Sequence, residues 1–204
     1  MTEALLNFAA EKRDDYASSN FRPEWTTLKT AAHAVEIHDA RDLPEPPSLS
    51  REGFELLRLP VEDGQWEDQE WVEADYVPLV RERVLSVTGG ACALTFPGSW
   101  VLRDTGRSGF APAAQYVHMD RTYGNCRDIV RREFGQDMLE RYLRFEVINV
   151  WRSLTPPPQD HPLALCDQRS IDRDDWMICK TLEPNLSEPM EHTVSVHNPD
   201  NRWN

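Results

Sequence analysis

The chain has 204 residues, 40% of them hydrophobic and 28% charged, the balance of a globular protein with room for one sizeable core. Its 35 acidic residues against 22 basic ones leave a net charge of -13, a field that repels phosphate backbones and anionic bilayers and so excludes nucleic acid and membrane as expected partners. No apolar run is long enough to cross a bilayer, the first residues lack a secretory pattern, and Cys92, Cys126, Cys166 and Cys179 show no CxxC spacing, which together point to a cytoplasmic protein with reduced thiols.

In chain order, residues 1–47 are polar and rich in turn signals, with one strand-like run, HAVEIHDA, and are expected to form an arm over the surface of a single domain, 1–204. GFELLRLP reads as a strand and opens the core, 48–204. The acidic stretch VEDGQWEDQEWVEAD has no regular ligand spacing and reads as a solvated face. A helix follows: Val80, Val84 and Val87 keep helical spacing, and Gly89 stands where the helix stops. ACALTFPGSWVLRD and PAAQYVHMDRT read as strands. Asn125 is then placed as the cap of one helix, with Asp128 three residues on and an apolar stripe of Ile129, Val130, Phe134, Met138, Leu139 and Tyr142. RFEVINVWRSL, PLALCDQRSI and HTVSVHNPD complete the strand set, separated by TPPPQDHP and EPNLSEP. The fold class expected is mainly β with flanking helices, an antiparallel jelly roll.

VHMDRT carries the chemistry. Alternate residues of a strand share a face, so His118 and Asp120 project together while Met119 projects away. One imidazole and one carboxylate so placed suit two adjacent positions of a non-haem iron site, which a second histidine completes. The same string also suits a satisfied polar pair at a strand end. Arg152, Asp167 and Arg169 lie among apolar neighbours, which suits an internal salt bridge of either arginine with Asp167, an arginine as pocket cation for an organic acid, or both. Trp100, Tyr116 and Trp151 are the expected lining of a substrate pocket.

GFELLRLP, YVPLVRERVLSVTGGA, VHMDRT, INVWRSL, PLALCDQRSID and VSVHNPDNRW, in this order from about residue 50 to the last, resemble a family of fungal and bacterial iron-dependent hydroxylases and desaturases of secondary metabolism. That family includes aspergillic-acid-type hydroxylases, gibberellin-desaturase-like proteins and the cephamycin methoxylation protein. The resemblance implies a double-stranded β-helix (cupin-like), Fe(II) as metal, and 2-oxoglutarate with oxygen as cosubstrates. It places His118 and Asp120 as metal ligands, and Asn149, Arg152 and Arg169 near the cosubstrate.

In the family a distal histidine lies beyond the H-N-P-x-x-R-W block, whereas the present chain ends at Asn204 and carries Asn201 before Arg202 and Trp203. The third ligand and the last strands are therefore expected to be missing, with His197 and His192 as weak substitutes and a homodimer as one way to cover the open sheet. The function expected is hydroxylation or desaturation of a small organic substrate. The alternative is a degenerate small-molecule binding protein, or a metal-independent isomerase or cyclase using His118 and Asp120 as acid and base.

Overall fold

The computed structural model describes residues 1–19, 22–96, 99–104, 106–107, 110, 113–122, 124–159, 161–182, 184 and 189–204. The chain divides into two compact units: Met1–Leu57 with Ala114–Val147 and Asp160–Asn204, and Arg58–Ala113 with Ile148–Gln159.

The first unit is built on two sheets. Strands β1 (Thr2–Ala9) and β3 (Thr30–Ile37) pair antiparallel from Thr2↔Ile37 to Ala9↔Thr30. The other sheet has the order β2-β5-β6-β4, with β2 (Tyr16–Ser18), β4 (His118–Met119), β5 (Trp176–Thr181) and β6 (Met190–Ser195). In it β2 runs parallel to β5, and the other two pairings are antiparallel. Single bridges tie the C-terminal residues across: Ala9 to Val196, and Trp203 to both Ile37 and Cys166.

Residues 1–47 therefore differ from the expected arm. They supply three strands and two of the most deeply buried side chains, Phe8 and Tyr16. The reason is long-range pairing: an alternating polar strand such as TEALLNFA buries only its inward residues, and its partner lies more than twenty residues away.

Register explains which face is buried. Cys179 pairs with Tyr16 on one side and His192 on the other, and Met177 pairs with Val194. Paired residues share a face, so Tyr16, Met177, Cys179, His192 and Val194 point the same way. Tyr16, Met177, Cys179 and Val194 form the core with Ala9, and Leu28, Tyr116 and Val196 pack against it. A second cluster joins Phe8, Val35 and Trp203.

The helix expected at Asn125 is two helices, α3 (Cys126–Phe134) and α4 (Gln136–Arg141). Gly135, at φ 90° and ψ 164°, breaks them, a conformation open to glycine and closed to most side chains. Asn125 does not cap by its side chain; its Nδ2 donates to the Glu191 carbonyl instead, at 2.9 Å.

In the second unit, α1 (Gln69–Trp71) runs through a π turn at Val72–Tyr76 into α2 (Val77–Thr88). Asp68 caps the start by accepting from the Glu70 and Trp71 N–H groups. Gly89 stops the helix as expected: it is left-handed at φ 65°, and its N–H donates to the Leu85 carbonyl.

The expected strands GFELLRLP, ACALTFPGSWVLRD and RFEVINVWRSL form no ladder among the described residues, and PLALCDQRSI contributes only the Cys166 bridge before turning into a short helix at Gln168–Ser170. Their apolar alternation supports extended chain, but a strand exists only where a partner accepts its hydrogen bonds.

Candidate metal centre

β4 is an edge strand, paired to β6 as His118↔Val194 and Met119↔Thr193. The register puts the His118 side chain on the face of the sheet that Val194 shares, and Tyr116 and Asp120, in bends on either side of the two-residue strand, both lie against it. His118 and Asp120 sit at the rim of that face: their side chains are 29% and 48% exposed.

The two groups meet. His118 Nε2 lies 3.2 Å from Asp120 Oδ1, and His118 Nδ1 lies 2.8 Å from the Tyr116 carbonyl oxygen. A carbonyl only accepts, so Nδ1 carries a hydrogen and donates it. Nε2 then faces a carboxylate oxygen, an arrangement that a metal ion between the two would stabilise. Bonds of about 2.1 Å at a right angle place two ligand atoms about 3 Å apart, so the observed spacing fits adjacent positions on a divalent first-row ion. Among the described residues no group of three His, Cys, Asp or Glu side chains is placed to hold a metal. The chain thus fits two positions of such a site.

Neither substitute histidine supplies a third ligand. His192, 7% exposed, has both ring nitrogens engaged: Nε2 lies 3.2 Å from the Tyr116 hydroxyl and Nδ1 lies 3.0 Å from Thr181 Oγ1. Burial, and then the neighbouring His118, push its pKa down to about 4, so it is a neutral hydrogen-bonding group at neutral pH. His197 stacks flat on His33, with ring centroids 4.2 Å apart, and meets the edge of Phe8 at 5.1 Å. Burial, with His33 beside it, lowers the His197 pKa as well.

Tyr116 is drawn inward rather than facing an open pocket. Its hydroxyl reaches His192 and, at 3.5 Å, Ser18 Oγ, and burial raises its pKa. Its ring lies edge-on to His118, with centroids 5.5 Å apart.

Arg169 takes the internal salt-bridge role. It binds Asp167 through Nε and Nη2, at 3.0 and 2.7 Å, and its Nη2 reaches Glu52 at 2.9 Å. Arg202 joins Asp167 at 3.2 Å, and Arg51 joins Glu52 at 2.6 Å. The hydrogen bond from Arg169 holds the Asp167 carboxyl below its usual pKa. Burial alone would raise Glu52, but the Ser48 N–H, Arg51 and Arg169 bring it below its usual value.

The remaining expected residues lie in the second unit. Arg152 donates from Nε to the Tyr76 hydroxyl at 3.0 Å and from Nη2 to the Leu59 carbonyl, and its guanidinium lies over the Trp66 and Tyr76 rings. Trp100 Nε1 donates to Glu73 at 3.4 Å; Trp151 is 49% exposed, and Asn149 is exposed beside it.

Sequence reasoning missed Tyr116 and His192 as a linked pair and Glu52 as a buried carboxylate. The alternation in YVHMD placed Tyr116 on the His118 face, but the register that brings His192 beside it is a property of the β4–β6 pairing.

A family model described as an oxidoreductase/YMDC permease-like domain matches residues 6–204. The chain is 28% identical over 180 residues to the Fe(II)/2-oxoglutarate-dependent dioxygenase nvfI of Aspergillus novofumigatus, a span covering 85% of this chain and 62% of that protein. It is 30% identical over 162 residues to oxidoreductase R2 of a Phoma species, covering 70% and 54%. The chain spans about half to three-fifths of the length of these curated relatives. A solved structure of the iron and alpha-ketoglutarate-dependent endoperoxidase NvfI, in a different conformation, superposes with TM-score 0.82 at 22% identity, over 99% of this chain and 78% of that one. Likeness at that identity shows a shared fold.

Proposed function

We propose, on the premise that this chain belongs to the oxidoreductase/YMDC permease-like domain family, that it is an Fe(II)/2-oxoglutarate-dependent oxygenase-like protein that hydroxylates or desaturates a small organic molecule of secondary metabolism. One observation carries the reading: His118 Nε2 and Asp120 Oδ1 stand 3.2 Å apart on one sheet face, with His118 Nδ1 already committed to a carbonyl. The names of relatives as Fe(II)/2-oxoglutarate- and alpha-ketoglutarate-dependent dioxygenases support it. The sheet-based fold shared with NvfI supports a jelly-roll core.

His118 and Asp120 would hold the metal. Iron with 2-oxoglutarate supplies the oxidising power when bound; the protein orients the substrate and keeps water out. Tyr116 accepts the His118 Nδ1 hydrogen and so keeps Nε2 turned toward Asp120. Arg152 and Asn149 are proposed to face the cosubstrate, and Trp100 and Trp151 to line the substrate's apolar part. The half-exposed Trp151 leaves apolar surface for that purpose. No helix among the described residues is long and apolar enough to cross a membrane; a cytoplasmic location and a homodimer are part of the proposal.

A second reading is favoured by a separate observation, the lack of a third ligand among the described residues. On it the chain binds a small molecule without metal, or isomerises or cyclises one with His118 and Asp120 as acid and base. Anaerobic titration with Fe(II) and 2-oxoglutarate separates the two. The oxygenase reading expects the weak visible charge-transfer band of the chelated cosubstrate, abolished by His118→Ala. No band at saturating Fe(II), with metal-independent ligand binding or turnover, would overturn it.

A further inference from the structure

His118 is held from behind by a buried polar relay that the oxygenase reading does not use. Asn7 clamps the peptide groups on both sides of Tyr116: its carbonyl accepts from the Val117 N–H at 2.8 Å, and its Nδ2 donates to the Gln115 carbonyl at 2.9 Å. The side chain of Tyr116 is fixed from the other direction. Its hydroxyl lies 3.2 Å from His192 Nε2, and His192 Nδ1 lies 3.0 Å from Thr181 Oγ1. A neutral imidazole donates at one nitrogen and accepts at the other, so His192 satisfies both hydroxyl neighbours at once, Tyr116 at Nε2 and Thr181 at Nδ1, and the Tyr116 hydroxyl also lies 3.5 Å from Ser18 Oγ.

An apolar ring would fill the His192 site without needing two hydroxyl partners. An imidazole there demands them, since an unpaired buried polar group is costly. What the relay holds is specific. Tyr116 gives its carbonyl to His118 Nδ1 and its ring edge to the His118 ring, and His192 itself packs edge-on to His118, with centroids 6.3 Å apart and planes at 88°.

Resting on the reading of His118 as a metal ligand, we infer that His192 is a positioning residue that acts through Tyr116 to fix the His118 ring in its Nδ1–H tautomer, with Nε2 aimed at Asp120. Outer partners that orient a ligating histidine commonly change metal affinity by about 10- to 100-fold when removed. His192 therefore serves the centre without ligating it.

The test uses two readouts on the whole chain. The first is the tautomer of His118 in the metal-free protein, read by long-range proton–nitrogen correlation of labelled histidine well above the ordinary histidine pKa. The second is anaerobic Fe(II) affinity without cosubstrate. Wild type is expected to show His118 as the Nδ1–H tautomer. His192→Phe and Tyr116→Phe are expected to mix in the Nε2–H form and to weaken Fe(II) binding about tenfold or more, and His192→Gln to restore part of both. Tyr116→Phe keeps the ring and the backbone clamp, so it decides the matter if His192→Phe does not fold. An unchanged His118 tautomer in the folded variants, or an Nε2–H tautomer in wild type, would overturn the inference even if Fe(II) binds. A shifted tautomer in a chain that binds no Fe(II) would uphold the positioning role and sink the ligand reading instead.

Discussion

Acidification should destabilise this protein through His192. The group is 7% exposed, and its pKa falls from 6.5 to about 4, first through burial and then through His118. The groups facing it are the Tyr116 and Thr181 hydroxyls, His118 and Asp120 from β4 and its flank, and Cys179 across the β5–β6 pair. Once unfolded, the imidazole takes up a proton near its ordinary pKa; folded, it resists until about 4. Between those values the unfolded state binds more protons, so stability falls as pH falls, and the full contribution is present only above the unfolded pKa. For one such group the loss between pH 7 and 5 is about 2 kcal/mol, rising to about 3 kcal/mol near pH 4. Urea unfolding of wild type and His192→Phe across this range reports on the group together with its coupling to His118 and Asp120, while the titrations distant from it are common to both. Wild type should lose about 2 kcal/mol more than the variant between pH 7 and 5. Parallel pH profiles would refute the reasoning, since a solvated or already charged His192 gives no such difference.

Two further changes test the frame around the site. Asp167→Ala removes the carboxylate that accepts the Arg169 N–H at 3.0 Å and pairs with Arg169 and Arg202. Because both arginines are about half exposed, the expected loss is about 2–3 kcal/mol rather than that of a fully buried pair, and a change in urea midpoint worth less than about 0.5 kcal/mol would contradict it. Gly89→Ala meets no atom within 4 Å yet places a Cβ on a residue at φ 65°. The expected cost is about 1 kcal/mol from backbone strain alone, read as a drop in melting temperature; a neutral substitution would mean that α2 ends differently.

Much of the site was legible because it depends on local period. The i and i+2 spacing of His118 and Asp120 needs only strand alternation, and the structure brings their atoms to 3.2 Å. Gly89 was legible for the same reason: a helix stop is decided within one turn. The failures all lie in pairing. Thr2–Ala9 forms a strand where the sequence suggests part of an arm, because its partner Thr30–Ile37 lies far along the chain and its outward residues, including Leu5, leave the alternation weak. Asn125 carries the signature of a cap but spends its amide on the Glu191 carbonyl, a partner 66 residues away.

The same distinction separates the two arginine expectations. Arg152 and Arg169 looked alike in sequence, each a cation among apolar neighbours, and either a salt bridge or an acid-binding role suited both. Arg169 sits two residues from Asp167, so its bidentate pairing follows from a tight turn capped by that carboxylate. Glu52, a second anion more than a hundred residues earlier, then shares its Nη2 and leaves little charge uncompensated for a ligand. Among the described residues no carboxylate pairs with Arg152; a phenol, a carbonyl and two aromatic faces hold it instead. Those partners orient a guanidinium without neutralising it. Under the proposed function, Arg152 is of the two the cation suited to an organic acid, and its Arg152→Lys variant, with no planar fork to stack or bridge, separates charge from geometry in a cosubstrate titration.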